Sequence, residues 1–573
     1  MHHLLLTAIL SISIYSLTMS QHHDHSTLHL SESNQTPTYR EAIDYYQSAA
    51  GKSSQVQCSA FGMTDSGHPL HEVVISQDGN FDPHPDKTVL FINNAIHPGE
   101  PCGVDASIQL TQEIIDGKVT VPSNLTIVII PFYNIGGGLN RGSYSRANQN
   151  GPKEYGFRGN ARNLDLNRDF IKCDSHNALS FNKLFTKWSP HLFIDNHTSN
   201  GADYQYTMTL IATQKDKLAP ALSDYLTETL LPDLYDQMKA KNWEMTPYVY
   251  SNGPPDTGIK GFLDLPRYST GYTALQHCIG FMPETHMLKP YADRVASTLA
   301  FMESMITHLA TAKEDIKEIK AAAIKSTQNQ ETLPINWTLD KENVEQLSFK
   351  GYEAGTKPSA VTGQPRLFYN RDKPYTKDIA FRNTYVNMTQ VSVPKSYIIP
   401  QAYTDIITRL EANGVEMTRL EADETFTVQM DKIVDYSTVK SPYENHYLHS
   451  AVQVESKTRQ WNYYEGDYII STDQEARMYL VNTLEPSGPD SFFAWNFFDG
   501  ILMQKEHYSD YVFEDTAARL LKTQPELKAK FEQKKQDDEV FRDGARAQLD
   551  YLYQQSKHYE PTYRLYPIGR VMR

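Results

Sequence analysis

Four short apolar runs constrain the fold more than any other feature of this 573-residue chain: TVLFI (88–92), LTIVII (125–130), HLFID (191–195) and IGFM (279–282). Each is bounded by turn residues and is only four to six residues long, so each reads as a strand buried on both faces, as in a mostly parallel sheet. Between them DASIQLTQEIID (105–116), with Asp105 placed to cap it, SHNALSFNKLFTKW (175–188) and LSDYLTETLLPDLYDQMKAK (222–241) carry helical spacing. The alternation predicts an α/β fold, a mixed, mostly parallel sheet with helices on both faces. Ligands of such sheets sit beyond the carboxyl ends of the strands.

One long helical stretch, 292–325, closes this region, and the polar STQNQETLPIN (326–336) reads as a linker. Beyond it, period-two alternation in DETFTVQMDKIVDYSTV and SAVQVESKTRQWNYYEGDYIIS predicts half-exposed strands. Residues 509–559 read as helices, and the charge run FEQKKQDDE (531–539) as a solvated helix face. The expected organisation is an α/β domain over 39–312, a helix end and linker over 313–336, and a C-terminal α+β domain of unassigned role over 337–573.

Leu4 to Leu17 is apolar and shorter than the about 20 residues that span a bilayer. With small residues near Ser20 it reads as a signal peptide over 1–20, although His2 and His3 replace the usual basic start; a buried N-terminal strand is the alternative. Export, periplasmic or secreted, is the expectation. Nothing later approaches about 18 consecutive apolar residues, so stable membrane insertion is not expected. A net charge of -15 disfavours nucleic acid as a partner, because phosphate binding needs a basic face. None of Cys58, Cys102, Cys173 and Cys278 lies in a CxxC, which argues against a zinc–cysteine site and leaves any disulfide pairing open.

The chemistry gathers at strand ends. FINNAIHPGEPCG (91–103) leaves an apolar run and places His97 and Glu100 on a Pro-Gly turn; FIDNHTSNG supplies His197 past another run. Two imidazoles and a carboxylate suit zinc, which at a catalytic site keeps three protein ligands and one open position. The H-x-x-E spacing alone is weak, since His29 and Glu32 repeat it with no strand before them. NLDLNRDF (163–170) adds Asn167 and Arg168, an amide and a guanidinium suited to gripping a carboxylate. Arg146 in SYSRANQNGP stands where a loop arginine can stabilise an oxyanion, and Glu284 in IGFMPETHMLKPY ends an apolar run where a carboxylate needs a cleft or a partner. The remaining histidines read as bland: HHDH (22–25) as polar tail, His191 as solvated, His286 as packing or capping.

The ordered elements H-x-x-E, R-x-N, N-R, H and E resemble the zinc carboxypeptidase family of carboxypeptidase A over roughly residues 39–312. The wording IHPGEPCGVDAS, RANQNGP, LDLNRDF and ETHMLKPY is similar to a bacterial branch with an extra C-terminal domain. The resemblance implies a Zn2+ cofactor held by His97, Glu100 and His197, and hydrolysis of the C-terminal peptide bond of peptides or proteins. It implies Asn167 and Arg168 on the substrate's terminal carboxylate, Arg146 on the scissile carbonyl and Glu284 as general acid/base. The family's mobile tyrosine falls on Tyr268, with Tyr272 as a lining of the side-chain pocket. Cys102 lies outside the pattern and reads as packed or disulfide-bonded. A zinc amidohydrolase or endopeptidase acting on cell-wall or other non-standard peptides, and an inactive peptide-binding module, are the alternatives.

Overall fold

The computed structural model of the chain describes residues 28–251, 253–312 and 315–573, so the signal-peptide reading and HHDH lie outside the described residues. Strands β1 (Val56–Met63), β2 (Pro69–Ser76), β3 (Thr88–Asn93), β4 (Leu125–Ile130), β5 (Leu192–Asp195), β6 (His197–Ser199), β7 (Met208–Ala212), β8 (Met245–Pro247), β9 (Ile259–Lys260) and β10 (Ile279–His286) open the fold. All but β9 form one sheet in the order β1-β2-β4-β3-β5-β10-β7-β8, with β6 also paired to β10. The central pairings β4–β3, β3–β5 and β5–β10 are parallel, and antiparallel β1, β2 and β7 flank them. This is the mixed, mostly parallel α/β sheet expected.

Side chains of a strand alternate between faces, and β3 shows the consequence. Val89 and Phe91 enter one core with Phe181 and Phe185 of the helix His176–Trp188. Leu90 and Ile92 enter the other with Ile108 and Leu110 of the helix Cys102–Ile115 and Phe301 of the helix Tyr291–Thr311. Helices on both sides explain why these strands lack polar alternation.

Three local expectations change. The helix expected from Asp105 starts at Cys102, so Asp105 is no cap. Cys102 and Val104 pack inward and draw the first turn into the core. The Asp105 carboxylate accepts 2.6 Å hydrogen bonds from Thr36 Oγ1 and Tyr291 Oη, and burial pushes its pKa up to about 7 despite them. The stretch 292–325 is two helices, Tyr291–Thr311 and Ile316–Gln328, the second capped by Asp315. Within 222–241 a π-helical turn, Tyr225–Leu230, precedes Pro232 and widens the backbone where a proline ring would meet a carbonyl.

The supposed linker is mostly ordered structure. The helix runs to Gln328 and β11 (Thr332–Leu339) follows, because Leu333 and Ile335 alternate into the core among polar neighbours. Then come β12 (Glu345–Pro358), β13 (Pro365–Arg382), β14 (Tyr385–Ser392), β15 (Ser396–Ile399), β16 (Thr418–Arg419), β17 (Glu424–Thr438), β18 (His449–Tyr463), β19 (Tyr468–Ser471) and, after four helices between Asp510 and Gln554, β20 (Gly569–Val571). This part joins the first half. β13 pairs with β9, and Ile407, Leu410, Tyr479 and Trp495 share a core with Phe91, Phe185 and Tyr272. All four cysteines are free, and among the described residues no helix is long and apolar enough to cross a membrane.

Candidate metal centre and its cleft

The site grows from the exits of β3 and β5. Past β3 the chain is pinned to the exit of β4: Asn94 N–H donates to the Ile130 carbonyl, and the carbonyls of Asn94 and Ala95 accept from Tyr133 and Asn134 N–H. Glu100 N–H then donates to the His97 carbonyl at 2.8 Å, closing the Pro98-Gly99 turn. Gly99 is required by close approach, since a Cβ there would sit 2.6 Å from Arg146 Cδ. Past β5, Asn196 N–H donates to the Asn93 carbonyl and brings His197 alongside.

His97, Glu100 and His197 are buried, and one donor atom from each lies within 4.8 Å of the others. Glu100 Oε1 is 3.3 Å from His97 Nδ1, and Glu100 Oε2 is 3.1 Å from His197 Nδ1. Ligands at 2.0–2.1 Å from a tetrahedral zinc lie about 3.3 Å apart. The other ring nitrogens are occupied: His97 Nε2 meets Asp165 Oδ1 at 2.8 Å and His197 Nε2 meets Asp195 Oδ2 at 3.1 Å. Carboxylates on the far nitrogens are how metal-binding histidines are oriented. Buried His97 Nδ1 has no hydrogen-bond partner, a cost unless something else takes its lone pair. Donor types, spacing, outer carboxylates and this orphan nitrogen all fit zinc.

The electrostatics fit as well. Burial opposes the charge on Glu100, but Arg146, 2.8 Å from Oε1, and the two imidazoles outweigh it and hold Glu100 well below the ordinary range. Burial likewise opposes the charge on Asp165, and His97, Arg158 and Arg168 hold it low. Asp195 and Glu100 raise His197 against the effect of burial.

The cleft beside this cluster encloses about 490 Å³. Arg146, Asn167, Arg168, Tyr268 and Glu284 line it together with His97, Glu100 and His197. Glu284 stands opposite His197 on the neighbouring strand, where burial pushes its pKa up to about 7, His197 moderating and Glu100 adding. Arg146 also donates to the Thr198 carbonyl at 3.0 Å. Asn167 Oδ1 accepts from Ser269 N–H at 3.1 Å, and the Arg168 guanidinium lies 4.5 Å above the Tyr268 ring.

Tyr272 is not a pocket lining. The helix Ser269–Leu275 turns it inward onto Phe170, fully buried, with its hydroxyl donating to Asn413 Oδ1 at 2.7 Å. His191 is not solvated: its Nδ1 accepts from Val89 N–H at 3.0 Å and burial lowers its pKa to about 3. Cys102 is packed and unbridged, 3.6 Å from Thr198 Oγ1, and His286 packs on Tyr204. His29 and Glu32 sit exposed on a short surface turn.

Sequence reasoning missed Asp165, Asp195, Arg158 and Tyr248. Both aspartates stood inside quoted motifs, two residues before Asn167 and His197, and that proximity was the available signal. Arg158 bridges Asp165 and Glu100 from a loop with no local pattern. Tyr248 lines both this cleft and a neighbouring cavity of about 500 Å³. Two contacts come from far along the chain: Tyr443 Oη accepts from Arg168 Nε at 3.0 Å, and Glu444 Oε2 accepts from Asp165 N–H at 2.8 Å.

Residues 43–231 match the family model described as zinc carboxypeptidase. Carboxypeptidase 2 of Trichophyton tonsurans is 21% identical over 431 residues, covering 72% of this chain and 74% of its own length. Carboxypeptidase 2 of Trichophyton rubrum is 22% identical over 430 residues with the same coverage. Among solved structures, a metallo-carboxypeptidase from Burkholderia cenocepacia aligns at TM-score 0.36 and 14% identity, over 48% of this chain and 69% of its own. Carboxypeptidase A from Helicoverpa armigera aligns at TM-score 0.36 and 15% identity, over 51% and 75%.

Proposed function

We propose that this chain, whose residues 43–231 match the family model described as zinc carboxypeptidase, acts as such an enzyme and removes single residues from the free C-termini of peptides or proteins. The observation that carries the reading is the convergence of His97, Glu100 and His197 at the floor of a cleft that also holds Arg168, Asn167 and Glu284. Zinc held by these three side chains would supply a Lewis acid that makes water nucleophilic near neutral pH.

The remaining steps belong to the chain's own groups. Arg168, with Asn167 beside it, grips the substrate's terminal carboxylate, which sets the last peptide bond over the cluster. Glu284 takes a proton from the attacking water on its carboxylate oxygen and passes it to the departing amine. Arg146 donates N–H to the oxygen that gains charge. Tyr268 supports the Arg168 guanidinium from below and flanks the bound residue. The apolar run at Leu4–Leu17 supports export as the setting for this activity.

The test is mass spectrometry of a mixed peptide pool, with free and amidated C-termini, after incubation with and without a chelator. Stepwise loss from free C-termini, abolished by the chelator and restored by zinc, is expected. Internal fragments, or equal cleavage of amidated peptides, would reject an exopeptidase.

A further inference from the structure

We propose that the tight turn Tyr443–His446, far outside the region matched to the family, is a positioning element for the carboxylate clamp, with Tyr443 holding the Arg168 guanidinium in its gripping orientation. The inference rests on the reading of Arg168 as that clamp.

The turn lies between β17 and β18 and is closed by Tyr443 N–H to the His446 carbonyl at 2.7 Å and His446 N–H to the Tyr443 carbonyl at 3.0 Å. Its central residues, Glu444 and Asn445, have φ of 48° and 71°. Two consecutive left-handed residues suit Asn-Gly, and a glutamate there is unfavourable. The strain coincides with function-bearing contacts, where such outliers gather. Glu444 Oε2 accepts from Asp165 N–H at 2.8 Å, and Asp165 orients His97. His446 Nε2 meets Asp174 Oδ2 at 2.7 Å. Three of the four turn residues therefore hold the catalytic half by their side chains.

Tyr443 makes the contact with a chemical consequence. A guanidinium has five N–H donors in a fixed fork. Arg168 commits Nε to Tyr443 Oη at 3.0 Å and one Nη1 donor to the Asn167 carbonyl at 2.7 Å. The end-on pair formed by Nη1 and Nη2 still has donors for two parallel bonds to a carboxylate. Tyr443 is itself held: its ring stacks on Trp495 with centroids 6.1 Å apart and planes 17° apart, and the Arg267 guanidinium lies 5.7 Å from the ring centre. Without the phenol oxygen the guanidinium keeps its charge, its seat over Tyr268 and its bond to the Asn167 carbonyl but loses one of the two hydrogen bonds that fix its orientation.

Tyr443→Phe in the full-length protein removes only that oxygen. KM for a peptide with a free C-terminus should rise about tenfold, as for loss of one hydrogen bond to a charged group, with kcat within about twofold and the thermal midpoint unchanged. Arg168→Ala should raise KM further, and Tyr443→Phe should add nothing in that background, since both changes remove one unit. An unchanged KM in Tyr443→Phe beside a raised KM in Arg168→Ala would overturn the inference and leave the clamp standing. An unchanged KM in Arg168→Ala would remove the clamp and this inference with it. A Tyr443→Phe defect in kcat and thermal midpoint that persists in the Arg168→Ala background would mark Tyr443 as structural and also overturn the proposal.

Discussion

Asp195 should set how tightly the site holds its metal. It is fully buried, with Oδ2 3.1 Å from His197 Nε2 and Oδ1 accepting from Asn93 Nδ2 at 3.0 Å. The negative charge fixes the proton on Nε2 and keeps the Nδ1 lone pair towards Glu100. Asp195→Ala deletes a charged acceptor worth about 1.5–3 kcal/mol. If that stabilisation acts through the oriented ring, zinc affinity should fall about 10–100-fold. Asp195→Asn should be milder. The Asn93 Oδ1 atom is buried and unpartnered, so its amide can turn to accept from the new NH2 and leave an amide oxygen facing Nε2–H. A neutral acceptor then remains, and the loss should be about tenfold. Competition with a chelating dye measures both constants, and excess zinc should restore much of the activity. Wild-type affinity in Asp195→Ala, or a larger loss in Asp195→Asn than in Asp195→Ala, would refute the orientation argument.

Glu284→Gln should bind zinc at unchanged stoichiometry while turnover drops by about three orders of magnitude or more, as when one member of a catalytic unit is removed; near-normal turnover would take Glu284 out of its role. The acid limb of kcat/KM should follow the ionisation of Glu284, which must be deprotonated to act as a base. Burial pushes that pKa up to about 7 before any metal is added, and a dication lowers it, so the midpoint should fall between the ordinary 4.5 and 7. A pH–rate profile with its acid midpoint outside that window would reject the assignment. Asp105 gives a stability prediction. Its folded pKa near 7 exceeds the ordinary 3.8, so between those values the unfolded chain binds fewer protons and stability falls as pH rises. The penalty is absent below the lower value and full above the upper, about 4 kcal/mol at most. Asp105→Asn, with about 1–3 kcal/mol lost to an unpaired amide, should be the more stable protein at pH 8 by denaturant midpoint and no better at pH 4. No gain at pH 8 would sink the argument.

What could be read from the sequence was what lies close along the chain. The runs that became β3, β4, β5 and β10 are all-apolar because helices cover both faces, and their ends carry His97, His197 and Glu284. Pattern without position misled in three places. Asp105 looks like a helix cap, yet the packing of Cys102 and Val104 draws the first turn inward and buries it. Tyr268 and Tyr272 are equivalent on paper. The helix starts after the first and rotates the second into the core. The polar texture of 326–336 conceals Leu333 and Ile335, two alternating core residues. Tyr443 and Glu444 were out of reach, because their contacts close over 275 and 279 residues and no periodicity encodes that.

The charges gathered at the cleft bear on the proposal that a metal and an anionic substrate bind there together. Glu100, Asp165, Asp195 and Glu284 face the guanidiniums of Arg146, Arg158 and Arg168 in and around one partly enclosed space. The four carboxylates and three guanidiniums, counted by themselves, carry one net negative charge. Among them, burial pushes the pKa of Glu284 up to about 7. A dication reverses the balance to one positive charge, favouring ionised Glu284 and the carboxylate that ends a peptide chain. On the proposed reading, an amidated terminus adds no charge to offset the surplus and leaves the Arg168 fork unfilled, so discrimination against it should come from the field of the whole site as well as from one hydrogen-bonded pair.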